Sequence, residues 1–230
     1  MNVSIYENLK RVRDRIEKAA SRARRGIEEI KLVAVTKGVN AERIIEAACL
    51  GVNAFGENYA QEFRDKCDFV EEAIGRKVEW HFIGRLQRNK VKYLDNISLI
   101  HSLDSTSVAR EINKRAEKIG INVPVLIEVN IAEEEAKGGI ESRCLDSFLS
   151  ELSSFSRIEV KGLMTIPPFF DNPEMVRPYF RRLRELRDKL QERSPNLREL
   201  SMGMSGDFEV AIEEGATIVR IGTAIFGPRV

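Results

Sequence analysis

Two groups of residues in this chain of 230 amino acids have types and spacing that could act on one ligand. The first is Lys37, which follows the apolar run 32–35 and precedes Gly38, so its stem would emerge from a crowded interior at a strand end. Partial burial disfavours the ammonium form and lowers the pKa of a lysine, which yields the neutral amine that attacks carbonyl groups. A solvated lysine at a strand end is the alternative.

The second group consists of two loops near the end of the sequence that are rich in glycine and hydroxyl side chains. They are the segments 201–207 (SMGMSGD) and 220–224 (RIGTA). In a parallel barrel, the loops after the seventh and eighth strands offer backbone amides and hydroxyls to a phosphate. The same glycines are compatible with tight turns alone. Because the first and eighth strands are neighbours in a closed barrel, the two groups together predict a ligand with both an aldehyde or ketone and a phosphate.

Short apolar runs alternate with helical periods from residue 31 onward, as in repeated β-α units around a parallel sheet. Eight such runs predict an α/β fold, a single (β/α)8 TIM barrel, with an open doubly wound sheet as the alternative. Before them, the apolar spacing predicts an extra N-terminal helix that Ser4 caps and Gly26 ends. The candidate strands are Lys31–Thr36, Asn53–Gly56, Val78–Ile83, Ile97–His101, Val123–Val129, Ile158–Leu163, Arg198–Ser201 and Thr217–Ile221.

Composition excludes several classes of protein. The 37 Lys and Arg residues balance 36 Asp and Glu residues, so nothing in the net charge of +1 predicts binding to nucleic acid or to an anionic membrane. Three widely spaced cysteines (Cys49, Cys67 and Cys144) form neither a zinc pattern nor a disulfide framework, which favours a cytoplasmic location. The sequence has no run of roughly 20 apolar residues and no linker, so we expect a single domain over residues 1–230, outside the membrane.

Several long motifs occur in an order that resembles one known family over almost the whole chain. They are AVTK at 34–37, FGENY at 55–59, WHFIG at 80–84, GLM at 162–164, SMGMS at 201–205 and VRIGT at 219–223. These resemble the YggS/PROSC family of pyridoxal 5′-phosphate (PLP) homeostasis proteins. The resemblance implies the fold of the alanine racemase N-terminal domain, which is PLP fold type III, with PLP as the cofactor.

The resemblance also implies roles for individual residues. Lys37 would hold PLP as an aldimine, and Arg220 would face the pyridine nitrogen. Ser205, Gly222 and Thr223 would hold the phosphate. A guanidinium cannot accept a proton, so it would keep that nitrogen neutral and make the ring a weaker electron sink. For Arg220 a salt bridge inside the barrel mouth is the alternative. For His81 a hydrogen-bonded core histidine is the alternative. The expected cofactor contacts are Lys37, Asn58, His81, Met204, Ser205, Arg220, Gly222 and Thr223, with no catalytic and no metal-binding residue.

The function that the resemblance implies is PLP homeostasis, by buffering or delivery of the cofactor, without dedicated catalysis. A racemase needs acid-base groups on both faces of its substrate. Alanine racemase takes one of these groups from an added β domain, and we expect none here, because the eighth predicted strand lies just before Val230. We therefore expect a monomer that is not an enzyme, with apo-PLP enzymes as acceptors. A PLP-dependent amino-acid racemase and a cofactor-independent Schiff-base aldolase acting on a sugar phosphate are the alternatives.

Two further features near the predicted barrel mouth lead to hypotheses. Lys137 is a second amine that would assist aldehyde transfer to or from Lys37, with a solvated loop lysine as the alternative. The segment 164–177 (MTIPPFFDNPEMVR) is long and contains two phenylalanines, which is compatible with a lid, a docking surface or ordinary packing.

Overall fold

Eight parallel strands close into a barrel in the computed structural model, which describes residues 4–134 and 137–228. The strands are β1 (Lys31–Val35), β2 (Ala54–Glu57), β3 (Glu79–Phe82), β4 (Leu99–Leu103), β5 (Val123–Asn130), β6 (Ile140–Glu141), β7 (Ile158–Met164), β8 (Glu199–Ser201) and β9 (Ile218–Ile221). Their order is β4-β3-β2-β1-β9-β8-β7-β5, and β4 also pairs with β5. This closure confirms the predicted barrel and excludes the open sheet. The two-residue strand β6 pairs only with the end of β5 and was not predicted, because two residues carry no periodic pattern.

Helices follow most of the strands. They are α1 (Ile5–Arg22), α2 (Ala41–Cys49), α3 (Ala60–Ile74), α4 (Thr106–Ile119), α5 (Leu145–Leu152), α6 (Arg177–Gln191), α7 (Phe208–Glu213) and α8 (Thr223–Phe226). Between β3 and β4 the connection contains a 3₁₀ helix, Arg88–Tyr93, where regular alternation would place an α-helix. None of the helices in the described residues is both long and apolar enough to cross a membrane.

The extra helix α1 is present and packs on α2, α7 and α8. Ser4 caps it as predicted, because its hydroxyl accepts a hydrogen bond from the Glu7 amide at 3.3 Å. Its end differs from the prediction, since α1 stops at Arg22 and not at Gly26. Arg24, with φ of 55°, takes the left-handed position after the helix that glycine usually fills, and the Arg25 amide closes the motif on the Ala20 carbonyl.

The core has two parts because each strand is buried on both faces, which also explains the continuous apolar runs in the sequence. The first part fills the barrel interior, and the second lies between the strands and the outer helices. In the second part, Trp80 contacts Phe55 at a ring-centroid distance of 5.5 Å and Phe63 at 5.8 Å. The interior part consists of Val33, Ala54, Leu99, Leu126, Met164 and Ile218.

Two strand ends differ from the prediction in ways that affect the candidate site. The fourth strand was expected over Ile97–His101 and is Leu99–Leu103, so His101 lies in the middle of the strand and is fully buried. Lys37 was expected at the end of the first strand and lies two residues beyond β1, in a turn that includes Gly38. The other predicted strand limits agree with the structure to within one residue.

Candidate functional site

A cavity of about 410 Å³ opens at the carboxyl end of the barrel, where β8 and β9 lead into their loops. It brings together five of the eight residues that the sequence predicted as cofactor contacts. These are Met204, Ser205, Arg220, Gly222 and Thr223. Val35, at the end of β1, lines the same cavity, so the first and last strands of the barrel meet here as expected.

The Ser205 hydroxyl marks a point on which several hydrogen-bond donors converge. Its Oγ accepts hydrogen bonds from the backbone amides of Gly222 and Ala224, both at 3.3 Å, at the start of α8. Amides at a helix start and neighbouring hydroxyls are the donors that bind phosphate oxygens. Asp207 holds the Ser205 loop, because its Oδ1 accepts a hydrogen bond from the Met204 amide at 2.6 Å. This donor set fits a phosphate group.

Arg220 lies inside the barrel directly below this loop and is only 4% exposed. Its Nη1 donates to Ser201 Oγ at 2.5 Å, and its Nη2 donates to the Thr165 carbonyl at 3.0 Å. Burial lowers the pKa of Arg220 to about 10, an effect that the carboxylates of Glu128 and Asp207 oppose. The guanidinium is therefore still charged at neutral pH, and it can only donate hydrogen bonds to a ligand.

Lys37 lies on the same rim of the barrel, in the turn after β1. Its side chain is half-buried, and its Nζ lies 5.2 Å from the centroid of the Tyr59 ring. Hydrogen bonds fix the residues on both sides of it. Thr36 Oγ1 donates to Glu57 Oε1 at 2.7 Å, and the Gly38 amide donates to Glu62 Oε2 at 3.1 Å.

Lys66, on α3, joins these anchors into one cluster. Its Nζ donates to the Thr36 carbonyl at 3.2 Å, to Glu57 at 2.9 Å and to Glu62 at 2.7 Å. Glu57 is fully buried, and this burial raises the pKa of its carboxyl group, whereas Thr36 and Lys66 lower it. The Lys37 turn therefore depends on a buried carboxylate that pairs with the ammonium group of Lys66.

Asn58 and His81 occupy different surroundings. Asn58 is half-buried on the loop after β2. Its backbone carbonyl oxygen packs on Gly84, and a Cβ atom added at Gly84 would lie 2.2 Å from this oxygen. His81 lies within the barrel, where its ring nitrogens contact Glu79 at 3.3 Å and His101 at 2.8 Å. These contacts match the interpretation of His81 as a hydrogen-bonded core histidine, and its contact with a cofactor stays a prediction.

Lys137 and the segment 164–177 also lie at this end of the barrel. The Lys137 amine pairs with Glu134 Oε1 at 2.8 Å on the loop after β5. Phe169 and Phe170 line the cavity that contains Ser205 and Arg220. Phe169 is 89% exposed, whereas Phe170 stacks on Tyr179 with ring centroids 5.9 Å apart.

Several polar residues around Arg220 were not predicted from the sequence. Thr165 and Ser201 accept its hydrogen bonds. Burial raises the pKa of the Glu128 carboxyl group, and the negative charge of Asp104 raises it further. One available signal was the charged Glu128 within the otherwise apolar strand 123–129. Over residues 4–134 and 137–228, no three His, Cys, Asp or Glu side chains come together in a way that could hold a metal ion.

Similarity to known proteins shows the family of this chain. The sequence pattern of the alanine racemase N-terminal domain matches residues 8–230. A pyridoxal phosphate homeostasis protein of Aquifex aeolicus is 54% identical over 225 residues, which cover 97% of each chain. The chain belongs to the pyridoxal phosphate homeostasis protein family. The Escherichia coli K12 member of this family is 41% identical over 98% of this chain and 97% of its own.

Solved structures agree with the assignment to the homeostasis protein family. PipY of Synechococcus elongatus is 30% identical, and this chain covers 100% of it. The TM-score is 0.84 for the structure without PLP and 0.80 for the structure with PLP bound. Alanine racemase of Corynebacterium glutamicum, at 21% identity and a TM-score of 0.65, shares the barrel fold, and this chain spans 60% of its length.

Proposed function

We propose that this protein binds PLP covalently through Lys37 and acts in PLP homeostasis, by buffering or delivering the cofactor. The observation that carries the proposal is the convergence of the Gly222 and Ala224 amides on Ser205 Oγ, in one cavity with Arg220. A phosphate and a ring nitrogen are the two ends of PLP that such groups would recognise. That PipY, of the same fold and 30% identical, has a structure with PLP bound supports the same cofactor here.

Each residue of this site has a distinct task in the proposal. The amides at the start of α8, with the hydroxyls of Ser205 and Thr223, would hold the phosphate. Arg220 would donate a hydrogen bond to the ring nitrogen. PLP supplies an aldehyde that an amine can attack and a ring that withdraws electrons. The cluster of Glu57, Glu62 and Lys66 would keep the Lys37 turn in place, and Asn58 and Met204 would contact the ring or its substituents.

We propose further that the protein does not turn over amino acids. A ring nitrogen that faces a permanent donor is not protonated, so the ring stabilises a carbanion less well than it does beside a carboxylate. The names of the homeostasis relatives agree with a role outside catalysis, although the barrel is related to that of enzymes. The proposal includes apo-PLP enzymes as acceptors, a cytoplasmic monomer and one PLP-binding domain over residues 1–230.

The absorption spectrum of the purified protein before and after borohydride tests the proposal. We expect uptake of added PLP, a visible band that borohydride abolishes, and a reduced pyridoxyl group on the peptide that contains Lys37. Lys37→Ala should lose the adduct on that peptide. Lys137→Ala serves as the matched control, and unchanged PLP transfer in this variant would reject the hypothesis that Lys137 assists.

Two other results would redirect the assignment. Steady turnover of D- or L-amino acids by the loaded protein would favour the racemase. A colourless protein that takes up no PLP and gives no adduct at Lys37 would contradict the proposal, and a sugar-phosphate aldolase would be the next function to test.

A further inference from the structure

Four polar side chains connect Arg220 to the opposite end of the barrel. Arg220 Nη1 bonds to Ser201 Oγ at 2.5 Å, and Ser201 Oγ contacts His101 Nδ1 at 2.8 Å. His101 Nε2 then contacts His81 Nδ1 at 2.8 Å, and His81 Nε2 contacts Glu79 Oε2 at 3.3 Å. Ser201, His101 and His81 are all buried, so these hydrogen bonds cross the barrel interior beside the apolar residues that fill it.

Glu79 forms the end of the chain that is farthest from the cofactor cavity. It is the first residue of β3, so it lies at the amino end of the barrel, and it pairs there with Lys31, the first residue of β1. Both side chains line a second cavity of about 440 Å³, which α1 borders with Arg13 and Ile16. The chain therefore links a solvent-accessible carboxylate to the arginine of the cofactor cavity.

Glu79 and Arg220, at the two ends of this hydrogen-bonded chain, fix the position of every proton in it. An ionised Glu79 only accepts, so His81 must donate from Nε2 and is left with a lone pair on Nδ1. His101 must then donate from Nε2 to His81, which leaves its own Nδ1 as an acceptor for the Ser201 hydroxyl. Ser201 Oγ in turn accepts from Arg220, which only donates. Each donor in this arrangement has one acceptor.

The reverse arrangement leaves groups without partners. If His101 donated from Nδ1, Ser201 would accept from both His101 and Arg220, and its own hydrogen would have no acceptor in the chain. At the other end, the lone pair of His81 Nε2 would face the Glu79 carboxylate. A buried hydroxyl hydrogen without a partner and two opposed acceptors are both unfavourable.

The protonation states of His81, His101 and Glu79 agree with this fixed order of protons. Burial lowers the pKa of His81 and lowers that of His101 well below the usual value, so both rings are neutral near pH 7. The hydrogen bond from His81 lowers the pKa of Glu79 to about 2, with Lys31 contributing. Glu79 therefore stays ionised over the range in which the protein would work.

We propose that Glu79, through His81, His101 and Ser201, orders the protons of this chain and thereby holds Arg220 in position to donate to the cofactor ring. The inference rests on the proposed function, because it assigns four positioning residues to the PLP site. The bonds to Ser201 and Thr165 use two of the five N–H groups of Arg220 and set its orientation. The other three have no hydrogen-bond partner among the described residues, and one of them would donate to the ring nitrogen.

The imidazole tautomers give a direct test, because His81 and His101 are the only histidines in the sequence. Long-range ¹⁵N–¹H NMR of the protein without PLP should find both rings neutral and protonated on Nε2 at pH 7. In Glu79→Gln the side-chain amide can donate or accept, so we expect the two rings to shift partly or wholly to the Nδ1–H form. A wild-type ring that is charged or protonated on Nδ1 would overturn the proton order. Unchanged tautomers in Glu79→Gln would overturn the role of Glu79 in setting that order.

Lys31→Met is the matched control for this experiment. It removes the other partner of Glu79 and leaves the carboxylate beside His81, so we expect the wild-type tautomers. Ser201→Ala provides a second break in the chain at the cofactor end, and it serves in place of Glu79→Gln if that variant does not fold.

Equilibrium titration with PLP tests the link to the cofactor. Loss of a fixed orientation of Arg220 should weaken PLP binding roughly five-fold in both Glu79→Gln and Ser201→Ala and shift the visible band, with no change in Lys31→Met. Wild-type affinity and band position in both variants would overturn the link to Arg220. If the wild-type protein forms no adduct at Lys37, the proposed function fails and this link fails with it, whereas the tautomer result still decides the proton order.

Discussion

Among the residues that the structure describes, the ammonium group of Lys66 is the only positive charge in contact with the buried carboxylate of Glu57. Lys66→Met should therefore destabilise the protein in a pH-dependent way. The Lys66 side chain is 16% exposed and Glu57 is fully buried, with its Oε2 atom already without a hydrogen-bond partner among the described residues. Removing one partner of a buried ion pair leaves an uncompensated charge, and about 3–5 kcal/mol is typical of this loss.

Protonation of Glu57 limits that cost. A glutamate has a pKa of about 4.3 in the unfolded chain, and each pH unit above it adds about 1.4 kcal/mol to the cost of keeping the proton. The unpaired carboxyl group of Glu57 therefore lowers the free energy of unfolding of the variant by at most about 3.7 kcal/mol at pH 7 and about 1.6 kcal/mol at pH 5.5. Because the folded variant binds a proton that the unfolded chain releases, its stability should fall as the pH rises through this range.

Urea denaturation of the protein without PLP at pH 5.5 and pH 7 measures both values. Lys77→Met is the control, because Lys77 is 81% exposed and solvent screens its surface pair with Glu71, so we expect little change in stability at either pH. The double variant Lys66→Met/Glu57→Gln removes the buried charge and should lose the pH dependence. A loss of stability that is equal at the two pH values, or a double variant with the same pH dependence as Lys66→Met, would refute the reasoning.

Three further predictions concern other parts of the chain. Ser205→Ala should weaken PLP binding about tenfold or more in a titration, because one hydrogen bond to a charged phosphate is lost. An unchanged affinity would contradict the proposed phosphate site at Ser205. Gly84→Ala places a Cβ atom 2.2 Å from the Asn58 carbonyl oxygen and should cost about 1–3 kcal/mol in urea denaturation, whereas Gly206→Ala meets nothing within 4 Å and should be neutral. The pKa of Glu79 is lowered to about 2, so the stability that it contributes is complete above about pH 5 and is lost as the pH falls towards 2. Acid titration of Glu79→Gln beside the wild type should therefore give a difference of about 1 kcal/mol, reduced by solvent because Glu79 is 46% exposed, that vanishes at low pH.

The strand count, the barrel and the two C-terminal loops were predictable because they depend on local patterns. Apolar runs mark strands that are buried on both faces, and the loops after the last two strands lie together in any closed barrel. The cavity lined by Ser205, Arg220 and Gly222 follows from these two facts. Lys37 was identified by the same reasoning, from its place after the first apolar run.

The chain from Glu79 to Ser201 was not predictable from the sequence. Its members come from three strands, and His101 and Ser201 are 100 residues apart and meet only because the barrel closes. Glu79 and His81 alternate with Trp80 and Phe82 and therefore share one face of β3. Because both faces of a barrel strand are buried, the sequence does not say whether that face lines the interior or contacts the outer helices. The fourth strand adds a register shift against β5 between Ile100 and Leu103, which no pattern in the run 97–103 indicates.

The contact between α1 and α8 has a consequence for local unfolding. Asn8 Nδ2 donates to the Ile225 carbonyl at 2.9 Å, and this bond is buried, so the first helix holds the short helix whose amides face Ser205. Four residues of helix have almost no stability of their own. We therefore expect α8 to open only when α1 detaches, so that the backbone amides of both helices exchange with solvent deuterium as one cooperative unit. Release of the first helix would then loosen the phosphate end of the cavity while the strands of the barrel stay folded.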